Sequence, residues 1–512
     1  MKNYLSCLVA FCCIYQSVLS QALSGTYTIP GTINSSSVNN LTQLAAILNS
    51  DTVSGTAIFE FSASYTGSET YPIIFNQFAG TGNVIIRPTA AVSNTLTTAG
   101  NPGSNALIDL NGVKKITFDG RPGGTGASVK WQFQNTASGG SYPVFRFING
   151  AAHDTLTYLA IQSSGTNTTA NVLFSTCTAT GGNSFNIIEY CTLGPYSASP
   201  YNVILSSGTT ANANANNAIL NNNIYNYQGY FDNPYAGINI GSTGNGSNWN
   251  ITGNSFYATA TVGNYWLAGI YFAPGSSSTG NVISGNYIGG KAPKCGVAGT
   301  PWNFPGYRGY TTIPDFQGIY VNAGGTTTIT NNVIQNIKLS NSTAGSQTFC
   351  GINVGGGNAN ISNNTIGSAA TANSVVAGSA GVVLGIWDES TGSVTINADT
   401  IANLTSDFSN SPSTTTPADI CGIYAFTSSA IIGGCTITNN LVFNLTTANN
   451  YNFNQYFYMN APGGGTNSPN LISNSTVVGG IYLQTTANNA THTISKNNIY
   501  GLHSTLTEIA FS

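Results

Sequence analysis

The sequence predicts an all-β protein that folds as a right-handed parallel β-helix, a solenoid of about twelve coils. The first observation behind this prediction is a short phrase in which an asparagine follows one apolar residue by three positions and precedes another by two. Asn222, Asn254 and Asn286 stand in this phrase at successive intervals of 32 residues. Because a fixed period of this size is the signature of stacked structural repeats, each phrase is expected to form part of one coil.

The polar residue of this phrase is predicted to lie at a tight bend between two short strands whose alternating residues bury one face. Asparagine hydrogen-bonds nearby backbone groups and tolerates left-handed torsion angles, so stacked asparagines are expected to form a ladder along the axis. The predicted ladder residues are Asp119, Asn222, Asn254, Asn286, Asn332, Asn364, Asp399, Asn440 and Asn497. Leu159, Cys191 and Ser475 stand in the same frame.

A second phrase, Gly-Ile followed by any residue and then an apolar one, supports the same fold. It begins at Gly237, Gly269, Gly318, Gly351, Gly422 and Gly480. Its third position is predicted to point outward, which gives an aromatic face that contains Tyr271, Tyr320, Trp387, Tyr424, Tyr458 and Tyr482. This face is interpreted either as sheet stabilisation by stacked rings or as a platform for sugar rings or a partner surface.

The composition agrees with a solenoid and excludes some functions. The chain has 60 glycines, 5% charged residues and 41% hydrophobic residues, which is enough for a continuous core. The formal net charge of −3 and the lack of a basic stripe argue against nucleic acid as a partner. No residue spacing predicts a metal site, and no cofactor is predicted.

Residues 1–20 are predicted to be a signal peptide, with Lys2 in its positive region and an apolar stretch from Leu5 to Tyr15. This segment is too short to span a membrane, and no later segment has the required ~20 apolar residues. The chain is therefore expected to be secreted and to lie outside the cell or on its surface, with no membrane span.

The remaining chain is predicted to have two parts. Residues 21–87 form an N-terminal cap and first strands, with helical periodicity from Asn40 to Leu48, and such a cap protects the open edge of a solenoid. Residues 88–512 form the β-helix. Because no cap is visible after the rung at Asn497, this end is expected to be uncapped or truncated, and further modules or copies of the chain are its expected partners.

The cysteines beyond the signal peptide leave two alternatives open. They are Cys177, Cys191, Cys295, Cys350, Cys421 and Cys435. Export permits disulfides, and Cys177 with Cys191 and Cys421 with Cys435 are the nearest pairs. Cysteine is also a good small core residue, so free buried thiols are the other interpretation.

The run from Ala106 to Gly120 resembles the early-coil phrase of secreted right-handed parallel β-helix proteins of Bacteroidota. Those proteins have the pectin-lyase-like fold and are often large surface or adhesin-like products. The resemblance implies a β-helix over most of the mature chain, but its motifs specify the fold more than an activity. Such proteins often continue into further modules and a C-terminal sorting domain.

Many β-helices are polysaccharide lyases or hydrolases, but this sequence lacks their residue patterns. Glycoside hydrolysis needs two carboxylates that face one bond, and calcium-dependent lyases need a cluster of carboxylates. The carboxylates of this chain are scattered, and Asp388 and Glu389 are the only adjacent pair. His153, His492 and His503 have no motif around them. A fold alone does not establish catalysis, so no enzyme is expected.

The connections that lead to the Gly-Ile strands concentrate aromatic residues on three successive coils. Because equivalent connections stack on one edge of a solenoid, these residues are expected to be neighbours. The long insert from Gly290 to Phe316 adds rare cations beside aromatic rings, a pattern that favours a functional loop, although a self-packed lid is the alternative. The predicted ligand-binding residues are Tyr230, Phe231, Tyr235, Tyr265, Trp266, Trp302, Tyr307, Arg308, Tyr310 and Asp315.

The sequence therefore predicts a secreted or cell-surface β-helix that acts as a structural, adhesin-like module and binds polysaccharide or cell-surface glycan. The alternative is a polysaccharide lyase or glycoside hydrolase with an unrecognised site in the loops of residues 227–316.

Overall fold

A computed structural model of the chain describes residues 22–103, 105–138, 142–164, 170–230, 235–262, 266–305, 315–340, 348–378, 382–407, 420–426, 434–447, 453–460, 477–484 and 491–504. These residues form 43 β-strands, one α-helix and one short 3-10 helix. Within these ranges no helix is long and apolar enough to cross a membrane. The predicted signal peptide and Ser475 lie outside the described residues.

The strands follow one another closely along the chain. Residues 23–61 contain β1 (Leu23–Ile29), β2 (Gly31–Ile33), β3 (Ser36–Val38), α1 (Leu41–Ser50) and β4 (Thr52–Phe61). Residues 73–138 contain β5 (Ile73–Asn76), β6 (Ala79–Gly80), β7 (Asn83–Pro88), β8 (Leu96–Gly100), β9 (Ile108–Asn111), β10 (Ile116–Asp119) and β11 (Trp131–Ser138), and the 3-10 helix is Pro122–Gly124.

The middle coils are built from short strands. Residues 145–225 contain β12 (Phe145–Ile148), β13 (Thr155–Thr157), β14 (Leu159–Ser164), β15 (Val172–Phe174), β16 (Ile187–Glu189), β17 (Thr192–Pro195), β18 (Ile204–Ser206), β19 (Ala218–Leu220) and β20 (Asn223–Tyr225). Residues 235–339 contain β21 (Tyr235–Ile240), β22 (Asn250–Thr252), β23 (Ser255–Tyr257), β24 (Leu267–Phe272), β25 (Asn281–Ser284), β26 (Tyr287–Ile288), β27 (Trp302–Phe304), β28 (Phe316–Thr330), β29 (Val333–Ile334) and β30 (Ile337–Leu339).

The last coils continue the pattern. Residues 349–447 contain β31 (Phe349–Ser362), β32 (Thr365–Ile366), β33 (Val375–Gly378), β34 (Val383–Asp388), β35 (Val394–Asn397), β36 (Thr400–Asp407), β37 (Ile420–Phe426), β38 (Cys435–Thr438) and β39 (Leu441–Thr447). They are followed by β40 (Phe453–Asn460), β41 (Val477–Gln484), β42 (Thr493–Ser495) and β43 (Asn498–Ser504).

The middle coils contribute strands to three faces, and equivalent strands of adjacent coils pair in parallel. β2 and β3 form a separate antiparallel pair. In the coil of Asn286, β24 carries the Gly-Ile phrase, β25 leads to the ladder residue, and β26 follows it. We call these the Gly-Ile face, the pre-ladder face and the post-ladder face. β24 pairs with β21 and β28, β25 with β22 and β28, and β26 with β23 and β29. The predicted parallel β-helix is confirmed.

A column of isoleucines fills the interior behind the pre-ladder face. Ile219, Ile251, Ile283, Ile329 and Ile361 occupy matching positions on successive strands, and each is 0% exposed. Burying one such side chain stabilises the fold by about 1.5–3 kcal/mol. The column belongs to one hydrophobic core that runs from the first strands to the last described coil.

The asparagines of the first phrase form a hydrogen-bonded ladder at the bend after the pre-ladder face. The backbone N and Nδ2 of Asn254 both donate to Oδ1 of Asn286, each at 3.0 Å. Asn286 donates in the same way to Asn332, and Asn332 to Asn364. Each Nδ2 also donates to an isoleucine carbonyl of the previous coil, as Asn286 does to Ile251 at 2.9 Å. The amides therefore satisfy buried backbone groups that water cannot reach.

The ladder continues toward both ends of the β-helix. Asn222 donates to Asn254, and Asn440 donates to Asn497, so asparagine amides link these coils in the same way. Asp119 differs from the prediction, because it pairs in register with Thr157, two residues before the frame residue Leu159, and so lies outside the ladder column. Its carboxyl group instead holds Arg121 in an ion pair with an N–O distance of 2.9 Å.

The glycines of the Gly-Ile phrase are required by close approach between coils. A Cβ at Gly351 would lie 2.6 Å from the carbonyl oxygen of Gly385 and 2.7 Å from Cγ2 of Ile366. Gly318 and Gly422 meet the same two kinds of neighbour at 2.5–2.7 Å. The phrase therefore places a side-chain-free position within the strand, directly before each core isoleucine.

The first strands already belong to the coil stack. β1 pairs with β4, β4 with β7, and β7 with β10, all in parallel, so pairing crosses the predicted boundary at residue 87. Helix α1 begins after Asn40, whose Oδ1 accepts the N–H of Gln43 at 2.9 Å. Leu44 and Leu48 of α1 are buried in the common core. Its role as a cap stays a prediction.

The last strands of the Gly-Ile face are not in chain order. β41 pairs with β37 on one side and with β40 on the other, so the earlier strand β40 lies beyond β41. Tyr458 is therefore in register with Tyr482 instead of standing between Tyr424 and Tyr482.

Replacing Asn286 by Leu should destabilise the protein by about 1–3 kcal/mol, because the buried N–H of Asn254 and the buried carbonyl of Ile251, both on the preceding coil, lose their partner. The measurement is the free energy of unfolding in denaturant. Asn250→Leu, at an exposed position of β22, is the matched control and should leave stability nearly unchanged. Equal losses in the two variants would show that the ladder carries no special stability.

Replacing Gly351 by Ala should also destabilise the protein by about 1–3 kcal/mol, because the new methyl group overpacks against backbone that cannot move aside. The control is Gly55→Ala in β4, where the nearest atom to the new Cβ is the Ser24 Cβ at an ordinary 3.5 Å. A thermal midpoint for Gly351→Ala equal to that of the control would contradict the close approach.

Candidate functional site

The structure describes half of the residues predicted to bind a ligand. Phe231, Tyr265, Tyr307, Arg308 and Tyr310 lie outside the described residues. The described members are Tyr230, Tyr235, Trp266, Trp302 and Asp315.

Three tyrosines form one aromatic group at the start of the Gly-Ile face. Tyr201, just before β18, stacks on Tyr230 with ring centroids 5.1 Å apart and an angle of 11°. It also contacts Tyr235 of the next coil at 4.9 Å. Tyr230 is 40% exposed, whereas Tyr201 and Tyr235 are buried. The buried rings hold the accessible one in place.

A second aromatic group lies on the following coils of the same face. Trp266 meets Tyr271 edge to face at 5.7 Å, and Tyr271 stacks on Tyr320 at 4.8 Å with an angle of 10°. Tyr271 and Tyr320 are half-buried, and Trp266 is buried. Trp266 was predicted as a loop residue and Tyr271 and Tyr320 as part of the aromatic face, so the structure joins two separately predicted locations.

Together the two groups form what we call the outer aromatic band. Its members are Tyr201, Tyr230, Tyr235, Trp266, Tyr271 and Tyr320. The strands that carry or directly follow them, β18, β21, β24 and β28, pair consecutively. The band therefore crosses four neighbouring coils.

Asparagine amides and one glycine lie next to the band. Oδ1 of Asn202 accepts hydrogen bonds from the backbone N of Ala236 at 3.1 Å and from Nδ2 of Asn239 at 3.0 Å. A Cβ at Gly241 would lie 2.6 Å from the ring of Tyr271. The rings therefore occupy space that only glycine leaves open, and polar amides lie beside them.

Burial changes the acidity of the phenols in the band. It raises the pKa of Tyr271 to about 12, and the neighbouring Tyr320 phenol adds to this shift. Burial likewise raises the pKa of Tyr320. Both hydroxyls are therefore neutral over the physiological range, where they can donate as well as accept hydrogen bonds.

Two predicted ligand residues have structural positions instead. Trp302 is 0% exposed in β27 and packs edge to face against Tyr227 at 5.4 Å and Phe316 at 5.3 Å, so no ligand reaches its ring. Asp315 is buried, and its Oδ2 accepts the N–H of Thr348 at 2.8 Å. The insert returns to the core at Trp302, which loop composition did not reveal.

The C-terminal half of the predicted aromatic face is not exposed. Trp387, Tyr424 and Tyr482 are at most 6% exposed, and the expectation of an open aromatic file is wrong for them. They pack with Cys350, Leu384 and Cys421 in a second hydrophobic cluster. The side chain of Tyr458 lies outside the described residues. Outward direction on a strand therefore does not guarantee exposure.

The adjacent carboxyls Asp388 and Glu389 do not face a common space. Asp388 occupies the inner column between Val354 and Ala425, where its Oδ1 accepts from Oγ of Ser390 at 2.8 Å. Burial raises the pKa of Asp388 to about 6. Burial also raises the pKa of the half-buried Glu389. One carboxyl lies in the core, so the pair does not flank a single glycosidic bond.

A feature that the sequence interpretation missed is a pair of ring stacks at the corners of the pre-ladder face. His153 stacks on Phe185 at 4.9 Å, and Tyr158 stacks on Tyr190 at 4.9 Å. All four have positive φ angles between 52° and 63°, a conformation unusual for bulky residues. Phe185 and Tyr190 are 50% and 43% exposed. We call these four residues the corner rings.

The corner rings had a readable signal in the sequence. Tyr158 and Tyr190 directly precede frame positions, where later coils have residues suited to left-handed torsion angles, such as Asn221 and Gly253. Arg121 lies over the Tyr158 ring at 4.5 Å and adds a cation to this corner.

The described residues offer no group of three or more metal ligands. Cys177, Cys191, Cys295, Cys350 and Cys435 are free thiols in the described part of the chain, and these residues and Cys421 are all buried. Burial raises the pKa of the Cys191 and Cys295 thiols to about 12, so these groups are not nucleophiles near neutral pH.

Comparisons with known proteins give two structural likenesses. No protein-family model matches the chain, and no curated protein matches it. The crystal structure of PfbA, a surface adhesin of Streptococcus pneumoniae, is similar with a TM-score of 0.36 and 14% identity over 71% of this chain and 85% of that chain. The A-module of the Azotobacter vinelandii mannuronan C-5 epimerase AlgE6 has a TM-score of 0.24 and 9% identity over 90% of this chain and 98% of that chain. Likenesses at this level do not extend to function, and membership of a Bacteroidota family stays a prediction.

Replacing Trp302 by Ala should destabilise the protein by about 3–5 kcal/mol, because it leaves a cavity between two aromatic rings. Val297→Ala is the control from the same insert, since Val297 is 74% exposed, and it should change stability by about 0.5 kcal/mol or less. Denaturant unfolding of both variants is the measurement. A stable Trp302→Ala variant would return this ring to the candidate binding residues.

Proposed function

We propose that the chain is an extracellular β-helix that binds an extended polysaccharide along its outer aromatic band. The observation that carries the proposal is the band itself, two aromatic groups on four consecutive coils in which Tyr230 is exposed and Tyr271 and Tyr320 are half-buried. The signal-like segment at residues 1–20 supports export. The adhesin-like role predicted from the sequence is compatible with this binding function.

The repeat of the coils matches the repeat of the proposed ligand. Equivalent positions on neighbouring coils are about 4.7–4.9 Å apart, a step close to the length of one sugar unit in an extended chain. Tyr271 and Tyr320 stack across this step, so they present ring edges and hydroxyl groups to solvent. Sugar hydroxyls would bond these phenols, and Tyr230 supplies apolar contact at the end of the band.

The predicted residues outside the described ranges belong to the same proposal. Tyr307, Arg308 and Tyr310 lie in the insert that precedes β28, and Tyr320 is a band residue on that strand. Phe231 and Tyr265 are neighbours in sequence of Tyr230 and Trp266. Their contribution remains a prediction.

The alternative function is cleavage of the same class of ligand. A lyase or hydrolase would need a reactive acid–base pair near the band, and Glu389 is the carboxyl whose charge acts on Tyr320. Incubation with a polysaccharide panel separates the two functions. A lyase raises ultraviolet absorbance and a hydrolase releases reducing ends, whereas a binding protein only slows migration in polysaccharide-containing gels.

Replacing Tyr230, Tyr271 and Tyr320 together by Ala should weaken polysaccharide retention more than tenfold, because truncation of an aromatic hot spot typically costs about 2 kcal/mol or more. Affinity electrophoresis with a panel of neutral and acidic polysaccharides is the measurement. A second variant, in which the same three residues are replaced by Phe, keeps the rings but lacks the hydroxyl groups. Comparing its retention with that of the Ala variant separates ring stacking from hydrogen bonding.

The matched control is Phe185→Asn with Tyr190→Asn. Asparagine suits the positive φ of these corner positions, so the control keeps the fold and removes two other exposed rings. Unchanged retention after loss of the band, together with lost retention in the control, would move the binding site to the corner rings. If no polysaccharide of the panel retains the wild type or any variant, the proposal of polysaccharide binding is wrong.

A further inference from the structure

Asp399 occupies a rung of the ladder that neighbouring coils fill with asparagine. Its Oδ1 accepts hydrogen bonds from the backbone N of Asn364 at 2.7 Å and from Nδ2 of Asn364 at 2.8 Å. Its own backbone N donates to Oδ1 of Asn440 at 2.9 Å. The residue is 0% exposed. One carboxyl oxygen therefore does what the amide oxygen does on every neighbouring rung.

The second oxygen, Oδ2, stands where an asparagine has its donor. On the rungs to either side, Nδ2 of Asn364 donates to the carbonyl of Ile329 and Nδ2 of Asn440 to that of Ile396, both at 3.0 Å. By register the equivalent acceptor for Asp399 is the carbonyl of Ile361. Oδ2 is buried and accepts no hydrogen bond from any residue that the structure describes. A carboxylate oxygen facing a carbonyl is repulsive, whereas a hydroxyl in this place donates as Nδ2 does.

Asp154 repeats the arrangement in a second ladder, on the other side of the pre-ladder face. Its Oδ1 accepts the N–H of Ile116 at 3.0 Å, and its backbone N donates to Oδ1 of Asn186 at 3.0 Å. Nδ2 of Asn186 donates to the carbonyl of Ala151, at 3.0 Å. Asp154 is 0% exposed, and its Oδ2 has no hydrogen-bond partner in the described part of the chain.

No charge compensates either buried carboxyl among the described residues. Around Asp399 the groups that act on the carboxyl are amides of Asn364 and Asn397. Around Asp154 they are backbone groups of Ile116 and Lys115. The Lys115 ammonium bonds the carbonyl of Thr81, at 3.4 Å. This contrasts with Asp119, which pairs with Arg121.

We propose that Asp399 and Asp154 are neutral carboxylic acids in the folded protein, and that the O–H of each donates a hydrogen bond along its ladder as the N–H of an asparagine amide does. Loss of these protons as the pH rises then weakens the coil stack. An isolated buried carboxylate is costly unless paired, so the proton takes the place of a counter-ion.

The direction of the pH effect follows from the acidity of the two states. Burial raises the pKa of Asp399 to about 7 and that of Asp154 well above its usual value. In the unfolded chain an aspartate has a pKa of about 3.9. The folded protein therefore binds these protons more tightly. Their stabilisation is complete below the unfolded-state pKa and is lost as pH rises through the folded-state pKa, with the unfolding constant rising about tenfold per pH unit for each group.

The experiment compares the full chain with Asp399→Asn, Asp154→Asn and the control Asp119→Asn by thermal unfolding between about pH 5 and pH 8. The wild-type midpoint should fall over this range. The midpoints of Asp399→Asn and Asp154→Asn should fall less than the wild-type midpoint. At about pH 8 each of these variants should unfold at a higher temperature than the wild type, because the asparagine N–H donates the hydrogen bond at every pH. Asp119→Asn should keep the wild-type pH slope.

Infrared spectroscopy tests the protonation state directly, and its first comparison needs only the folded and unfolded wild type. At about pH 6, exposed aspartates are ionised, so the folded wild type should show a carbonyl band of protonated carboxyl groups that disappears on unfolding. Asp399→Asn should remove part of this band. A wild type without the band, or an Asp399→Asn variant that is less stable than the wild type at about pH 8 and keeps the full pH slope, would overturn the proposal.

Discussion

The backbone of a parallel β-helix turns sharply where it leaves one face for the next, and the N–H and C=O groups at that corner point along the axis into a water-free interior. Each ladder amide serves both kinds of group. In the rung of Asn332, Oδ1 accepts two N–H groups from Asn286, and Nδ2 donates to Ile283. Since a missing partner would cost about 1–3 kcal/mol per group, the chain can turn at this corner only when rung follows rung in register.

That register carries the other features of the fold. Once ladder residues stack, the isoleucine three positions earlier stacks in the core, and the following strands pair without a shift. The glycine column follows from the same alignment, because Gly318 and Gly351 are brought too close for a side chain. The periodic Asn, Ile and Gly residues therefore satisfy one constraint, the register between coils, at three positions of each coil.

The same alignment makes every outward residue a neighbour of its equivalents on the adjacent coils. Tyr271 meets Tyr320 at 4.8 Å, and Tyr158 meets Tyr190 at 4.9 Å, close to the spacing of the coils themselves. A solenoid thus turns a residue preference at one position into an extended surface. Whether such a surface is open depends on the local environment, since Tyr424 in the same column as Tyr320 is 2% exposed.

Charge is used sparingly in this architecture. The ion pairs among the described residues join Glu60 with Arg87, Asp109 with Arg146, and Asp119 with Arg121, all in the first coils. In later coils the buried carboxyls Asp388 and Asp399 have hydroxyl or amide partners instead. The interior of those coils is therefore built on neutral hydrogen bonds, which suits a core that excludes water.

The sequence by itself determined the architecture, because periodic Asn, Ile and Gly positions report constraints that act within one coil and between adjacent coils. It also predicted two separate aromatic locations, one in the loops with Tyr230 and Trp266 and the other on the Gly-Ile strands with Tyr271. Only the tertiary structure decided which rings are reachable, since the exposure of Trp302 and Trp387 depends on contacts that residue type does not encode. It also separated Asp119 from Asp399, both of which were predicted as ladder residues, because Asp119 pairs with Thr157 two residues before the ladder column. The physical reason is that period specifies register, whereas burial and hydrogen-bond partners depend on what the neighbouring coils and connections place around each side chain.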